Sequence, residues 1–250
     1  MNDENVLSVF YGGSIGNQNT DLYSDIDLRI VVNDKVFENY RQRKKQRAEK
    51  WGRVLFFEDN PEARHTVAHY ETFVKVDVFY YKAEEIHSSV WLKNIKIVQD
   101  IHGFMENVSK KSMKLSYVPT LQEVENWRNK FFAYAHETYR RAMRSEFYYA
   151  LRCLDNLRFC VVTAWYMENG IQPNSLGDWG KVEGERSKLK DWQLSLLAQW
   201  DSNRDSIEIM KTIKQIIPQF KKVHHRLCKR VGATEDSEWV DEILELCNFC

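Results

Sequence analysis

The residues best suited to chemistry lie near the start of the chain, in the segment YGGSIGNQNTDLYSDIDLRIVV (11–32). Three of the ten glycines of the chain fall within five residues there, at Gly12, Gly13 and Gly16. A glycine turn directly after a strand lets backbone N–H groups approach phosphate oxygens closely. Ser14 adds a hydroxyl donor to the same turn. The segment therefore predicts a phosphate-binding turn.

Two aspartates, Asp25 and Asp27, follow this turn, with ten residues between Ser14 and Asp25. They begin a predicted strand, and side chains two apart in a strand project from the same face. Adjacent carboxylates repel each other unless a cation lies between them. Mg²⁺ takes oxygen ligands and shares its coordination shell with phosphate oxygens. We therefore predict that Asp25 and Asp27 are magnesium ligands.

A third carboxylate, Asp77, interrupts the otherwise apolar segment KVDVFYY. A buried charge without a partner is costly in such a strand. If this strand lies beside the one that carries Asp25 and Asp27, the three acids form a two-metal site with ions ~3.5–4 Å apart. Such a site stabilises the attacking and leaving oxygens of phosphoryl transfer, and we expect Asp77 to belong to it.

The elements that position these residues follow from the hydrophobic pattern. Alternation predicts strands at 6–11, 25–32, 53–57 and 72–81, an edge strand at 95–101 and a charged helix at 35–50. From residue 121 the pattern is helical to about 168, and again over 189–200, 206–230 with a kink at Pro218, and 234–247; the segment 171–184 is a loop. We predict an α+β fold: an N-terminal α/β domain with a mixed sheet (1–118), then a C-terminal helical-bundle domain (119–250).

The composition excludes several classes of protein. Lys plus Arg and Asp plus Glu both number 36, so the bulk charge favours neither nucleic acid nor an anionic membrane. We interpret the basic run RQRKKQR (41–47) as a solvated helix face. No apolar run approaches the ~20 residues of a membrane span. The acidic start MNDEN and an odd count of five cysteines do not suit a secreted protein, so we expect a cytoplasmic one.

The turn with Gly13 and Ser14, the Asp25-x-Asp27 pair and the later strand with Asp77 resemble the polymerase-β-type nucleotidyltransferase superfamily. Within it the chain looks most like the bacterial aminoglycoside nucleotidyltransferases, the adenylyltransferases in particular. The resemblance implies a cleft between an α/β domain and a helical domain that binds ATP and Mg²⁺. It implies that Gly13 and Ser14 hold the β- and γ-phosphates and that Asp25 and Asp27 are metal ligands. Asp77 is then either a third ligand or the group that activates the acceptor hydroxyl.

The resemblance also implies two site residues in the helical half. The segment DWGKVEG (178–184) looks like the lysine-containing turn of the family, so Lys181 is expected to pair with the triphosphate. Some relatives use a helical-domain glutamate as general base, which makes Glu146 a candidate; Arg141 and Arg144 beside it are candidates to face phosphate. The alternative is that Lys181 is an exposed loop lysine and Glu146 a surface partner of arginine.

The sequence thus predicts a Mg²⁺-dependent nucleotidyltransferase that transfers AMP from ATP to a hydroxyl of a small acceptor, with release of pyrophosphate. An aminoglycoside is the first choice of acceptor because of the family likeness alone. One alternative keeps the fold and modifies a protein or RNA, as in toxin–antitoxin pairs. Another is a module that binds a nucleotide without transferring it. The modified hydroxyl, the nucleotide preference and the oligomeric state are left open.

Overall fold

A computed structural model describes residues 3–247 of the chain. They form two compact units, one that runs to Ser116 and one that begins at Tyr117. The predicted fold class is confirmed, since the first unit contains a six-stranded mixed sheet and the second consists of helices and loops. The domains 1–118 and 119–250, with the roles assigned to them, stay a prediction.

The sheet of the first unit has the strand order β3-β4-β5-β2-β1-β6. Its strands are β1 (Val6–Tyr11), β2 (Ile26–Val32), β3 (Val54–Asp59), β4 (His65–Tyr70), β5 (Lys75–Lys82) and β6 (Lys96–Asp100). Its helices are α1 (Gly13–Gly16), α2 (Phe37–Gln42), α3 (Lys44–Ala48) and α4 (Phe104–Ser112). The central pair β2 and β5 is parallel, and the other neighbouring pairs are antiparallel.

Each face of the sheet has its own apolar core. On one face, alternate residues of β2 and β5 pack with Tyr40 of α2 and Ala48 of α3. The strand residues of that cluster are Leu28, Ile30, Val32, Val76, Val78 and Tyr80. On the other face, Phe10 and Val31 pack with Met105 of α4. Because side chains alternate along a strand, Asp27 and Asp77 project from this second face.

The helix predicted over 35–50 is wrong as a single element. The chain forms α2 and α3 with a break at Arg43 (φ −98°, ψ 16°), flanked by 3₁₀ turns at Asp34–Val36 and Glu49–Trp51. The basic run is also not a uniformly solvated face, because Lys44 is only 2% exposed. Its Nζ donates to the carbonyls of Asn60 (2.6 Å) and Ala63 (2.8 Å) and lies 3.2 Å from Asp59 Oδ1. Lys44 therefore anchors the loop after β3.

The second unit contains α5 (Leu121–Met143), α6 (Phe147–Glu168), α7 (Asp191–Gln199), α8 (Ser206–Val231) and α9 (Ser237–Glu245). α5 begins with a capping box between Thr120 and Glu123, which satisfies two backbone donors at the helix start. The rings of Phe131 on α5 and Phe220 on α8 stack at 3.7 Å. α8 is one helix that contains Pro218. Burial of these apolar side chains, worth ~1.5–3 kcal/mol each, holds the helices together.

Cys153, Cys160, Cys228 and Cys247 are buried and form no disulfide, while Cys250 lies outside the described residues. None of the helices within 3–247 combines the length and apolarity needed to cross a membrane.

Candidate active site

The glycine turn after β1 is fixed by its closeness to the Asp27 carboxylate. Gly13 has φ +52°, a left-handed conformation that favours glycine. A Cβ atom built there would lie 1.8 Å from Asp27 Oδ2, so no larger residue fits without moving the carboxylate. The backbone N–H of Gly12 donates to the Asp27 carbonyl at 3.0 Å, which ties the turn to β2. The turn and the carboxylate are thus positioned together.

Ser14 lies in this turn and is only 9% exposed. Its Oγ atom is buried and has no hydrogen-bond partner among the described residues. A buried hydroxyl without a partner carries a desolvation cost that an added acceptor removes. Ser14 is therefore suited to donate to a ligand that enters the turn.

The register of the central strands places the acidic side chains together. Asp27 of β2 and Asp77 of β5 are direct partners in the parallel ladder, on strands that lie about 4.8 Å apart. Asp25 directly precedes β2, and Lys75 is the first residue of β5. The Lys75 Nζ lies 2.8 Å from Asp25 Oδ2 and 3.4 Å from Asp77 Oδ2. The site thus combines three carboxylates with one ammonium group.

The electrostatics of the site show that its negative charge is incompletely balanced. Burial raises the pKa of Asp77; the ammonium of Lys75 opposes this rise, and the charges of Asp25 and Asp27 add to it. The Oδ1 atom of Asp77 is buried without a hydrogen-bond partner in the described part of the chain. Burial lowers the pKa of Lys75, but its bond to Asp25 and the charge of Asp77 outweigh burial and raise that pKa. The site therefore carries more carboxylates than positively charged side chains, and a further cation would be attracted.

Within residues 3–247, no three His, Cys, Asp or Glu side chains are already arranged to hold a metal ion. The donors nevertheless suit a divalent cation that prefers oxygen. They are carboxylates on adjacent strands, they repel one another, and one of them has a buried oxygen without a partner. Lys75 supplies the positive charge between Asp25 and Asp77 in this structure. The assignment of Asp25, Asp27 and Asp77 as metal ligands stays a prediction.

Two residues of the site were not identified from the sequence. Lys75 alternates with Asp77 in the segment KVD, and this spacing was the available signal. Arg29 projects from the same face as Asp27, and its guanidinium lies 5.0 Å from the centre of the Phe79 ring. The Nη1 atom of Arg29 is buried without a partner among the described residues, and its Nε would lie 3.3 Å from a Cβ at Gly12. Arg29 thus adds positive charge beside the glycine turn.

The two candidates from the helical half, Glu146 and Lys181, belong to the second unit. Glu146 precedes α6 and forms an ion pair with Arg141, while Arg144 Nη1 lies 3.9 Å from its carboxylate. Arg141 also pairs with Glu137 at 2.5 Å. Lys181 ends an exposed 3₁₀ turn, and its carbonyl accepts from the Tyr166 hydroxyl at 3.3 Å. The catalytic role of Glu146 and the phosphate role of Lys181 stay predictions.

The mixed sheet, the glycine turn and the paired aspartates agree with the class that the sequence predicts, a nucleotidyltransferase. The family model for streptomycin adenylyltransferase matches residues 1–247. The chain therefore belongs to the streptomycin adenylyltransferase family and is an adenylyltransferase. The resemblance to adenylyltransferases that the sequence indicates is thus confirmed.

The solved structures that are similar to the chain include the following two. An aminoglycoside 6-adenyltransferase from Bacillus subtilis has 15% sequence identity and a TM-score of 0.47, with 99% of this chain and 93% of that chain covered. A nucleotidyltransferase-like protein from Exiguobacterium sibiricum has 13% identity and a TM-score of 0.44, with 92% of this chain and 72% of that chain covered. No curated protein matches the chain at a significant level.

Proposed function

We propose that this adenylyltransferase transfers AMP from ATP to a hydroxyl of an aminoglycoside-type antibiotic and releases pyrophosphate. The observation that carries the proposal is the direct pairing of Asp27 with Asp77 beside the Gly13 turn. In the reaction, the acceptor oxygen forms a bond to the α-phosphorus of ATP while the bond to pyrophosphate breaks. Because its nucleotide substrate would be ATP, we place the reaction in the cytoplasm.

Each site residue in the first unit has a defined role in the proposed reaction. The backbone at Gly13 and the Ser14 hydroxyl bind the β- and γ-phosphates. Asp25, Asp27 and Asp77 hold Mg²⁺, and Asp77 is either a third ligand or the group that accepts the proton of the acceptor hydroxyl. When bound, the metal would lower the pKa of that hydroxyl and offset charge on the leaving pyrophosphate. Arg29 adds fixed positive charge near the turn.

The second unit supplies further candidates for this reaction. Lys181 is proposed to pair with the triphosphate and Glu146 to act as general base, both because of the family likeness. As a base, Glu146 would have to give up its ion pair with Arg141. The substitution Glu146→Gln distinguishes a general base from a surface partner of arginine. Turnover falls if Glu146 is the base, whereas a surface partner of arginine can be lost with little effect on turnover.

A hollow in the second unit supports a cationic acceptor. It has a volume of about 440 Å³ and is lined by three carboxylates, one guanidinium and two indole rings. These side chains are Asp155, Glu183, Asp201, Arg158, Trp179 and Trp200. The Nε1 of Trp179 donates to Asp155 Oδ2 at 2.9 Å, which fixes both side chains. Because three carboxylates outnumber the one guanidinium, the wall is acidic on balance and suits an ammonium group of an aminoglycoside.

The experiment that tests the proposal combines the purified full chain with α-labelled ATP, Mg²⁺ and a panel of aminoglycosides that includes streptomycin. We expect label on an aminoglycoside and release of pyrophosphate. Asp27→Asn should abolish most of the transfer, whereas Asp34→Asn, an exposed aspartate two residues after β2, should transfer normally. Asp155→Asn should raise the KM of the antibiotic and leave that of ATP unchanged.

Three results would contradict the proposal. Label on a protein or RNA in place of the antibiotic indicates the toxin–antitoxin type of acceptor. Nucleotide binding without pyrophosphate release indicates a binding module. Normal transfer by Asp27→Asn refutes the assigned role of the carboxylates.

A further inference from the structure

The feature that the proposed reaction leaves unused is Lys75. Its Nζ lies 2.8 Å from Asp25 Oδ2 and 3.4 Å from Asp77 Oδ2, so one ammonium joins two of the three proposed metal ligands. Lys75 is set in the first position of β5, and its neighbour Val76 pairs with Ile26, the residue after Asp25. The sheet register therefore holds the ammonium opposite Asp25.

We propose that Lys75 is an internal counter-ion, which occupies the position of the cation in the metal-free enzyme and is displaced when a divalent cation binds. The inference rests on the metal role assigned to Asp25, Asp27 and Asp77 in the proposed function. An ammonium held at Asp25 Oδ2 and Asp77 Oδ2 repels a divalent cation bound to the same two carboxylates, so the two cations compete for Asp25 and Asp77.

Charge and flexibility both favour this exchange. With Lys75 and the nearby Arg29 in place, the three carboxylates still leave the site with a formal charge of about −1, which attracts a divalent ion more strongly than a single ammonium can. The Lys75 side chain is 37% exposed, so its four-carbon stem has room to swing into solvent without a change in the strand. The ammonium thus limits repulsion among the carboxylates until the cation arrives.

The first test measures binding of Mn²⁺ to the full chain without nucleotide, by calorimetry and by loss of the free-ion electron paramagnetic resonance signal. Because Lys75→Met removes the competitor, we expect it to bind Mn²⁺ about tenfold more tightly than the wild type. Lys75→Arg keeps a cation on the strand and should bind nearly as weakly as the wild type.

The matched control is Lys82→Met. Lys82 lies on the same strand, its side chain is 36% exposed against 37% for Lys75, and it pairs only weakly with Glu84 at 3.7 Å. It is seven residues along β5, about 23 Å from Lys75. Its loss changes the net charge equally but leaves the carboxylate site alone, so Mn²⁺ affinity should not change.

The second test needs no variant and separates displacement from a general charge effect. Lysine acetylation of the wild-type protein, read by mass spectrometry, should be slow at Lys75 without metal and several-fold faster with saturating Mg²⁺. Lys82 in the same sample should react at one rate under both conditions. Acetylation of Lys75 at an unchanged or slower rate on Mg²⁺ addition would show that the ammonium stays in place and would overturn the inference.

The failure of this inference is distinguishable from that of the proposed function. If the wild type binds Mn²⁺, Asp27→Asn does not, and Lys75→Met binds no more tightly, the metal site stands and the counter-ion role is refuted. If neither the wild type nor Lys75→Met binds Mn²⁺ with or without a nonhydrolysable ATP analogue, the metal assignment fails and takes the inference with it.

Discussion

Replacement of Gly13 by alanine tests whether the glycine turn positions the carboxylate of Asp27, which we propose to act in catalysis. A Cβ at this position would lie 1.8 Å from Asp27 Oδ2, whereas real contacts of a Cβ are essentially never under 3.0 Å. The carboxylate and the turn must therefore shift relative to each other by at least about 1.2 Å. A misplacement of about 1 Å in an active site costs on the order of 100-fold in rate. We expect Gly13→Ala to lower kcat by about this factor.

Gly13→Ala also costs folding stability, because any residue with a Cβ is disfavoured in a left-handed conformation. Gly13 has φ +52°, which costs a residue with a Cβ about 1 kcal/mol. Gly232→Ala is the matched control, because Gly232 has φ +69° and a Cβ there would meet nothing within 4 Å. It should lose a similar free energy of unfolding and keep full activity.

The assay compares kcat at saturating ATP and Mg²⁺ with the free energy of unfolding from urea titration, for both variants and the wild type. If Gly13→Ala turns over within about threefold of the wild type, the carboxylate does not need the position that the turn gives it. The reasoning also fails if Gly232→Ala loses activity in proportion to its stability.

Three further predictions follow from single side chains. Ser14→Ala should weaken ATP binding by about 1–3 kcal/mol, measured as KM, without loss of metal-free stability, because the Ser14 hydroxyl has no partner in the described structure. Lys44→Met should lower the free energy of unfolding by about 1–3 kcal/mol, since it removes the Nζ hydrogen bonds to the Asn60 and Ala63 carbonyls and the ion pair with Asp59. Lys45→Met, at an exposed position beside it, should cost less than about 1 kcal/mol. Burial, followed by the charges of Arg128 and His225, lowers the pKa of His224, and Glu235 opposes this. The stability that neutral His224 contributes is therefore present above pH ~6.5 and is lost at lower pH. Urea titrations at about pH 7.5 and 5 should show that the free energy of unfolding falls less for His224→Gln than for the wild type.

The central strands were predictable because their sequences alternate cleanly. In β5, Val76, Val78 and Tyr80 enter the apolar core, and Lys75 and Asp77 lie on the opposite face. This alternation and the spacing from Ser14 to Asp25 and Asp27 were enough to identify the carboxylates and the turn. A burial pattern with period two leaves little choice of face for each residue.

Other elements could not be predicted because their patterns are ambiguous or depend on distant contacts. In β4, the buried face consists of Thr66, Ala68 and Tyr70, which gives no apolar alternation to recognise. The break at Arg43 has no proline or glycine to mark it, and the buried position of Lys44 depends on carbonyls 16 and 19 residues away. Tertiary contacts overrode the local pattern there.

The strand predicted over 72–81 begins three residues later, at Lys75. Phe73 has φ +63° and is 94% exposed, so it lies in the turn between β4 and β5. A bulky residue in this conformation is uncommon, and the apolar run in the sequence concealed the turn. The shift has a consequence for the site, because it makes Lys75 the first residue of the strand and brings it opposite Asp25.

The location of Asp27 and Asp77 on the two innermost strands affects how the site fluctuates. Each strand has a hydrogen-bonded neighbour on both sides, and β2 and β5 are neighbours of each other. Amide groups of such strands exchange their hydrogens only in the rarest openings of a domain, while hairpins and loops open often. The distance between the Cα atoms of Asp27 and Asp77 is therefore among the least variable distances in the first unit. The loops around the site can change conformation while the sheet keeps these two backbone positions together.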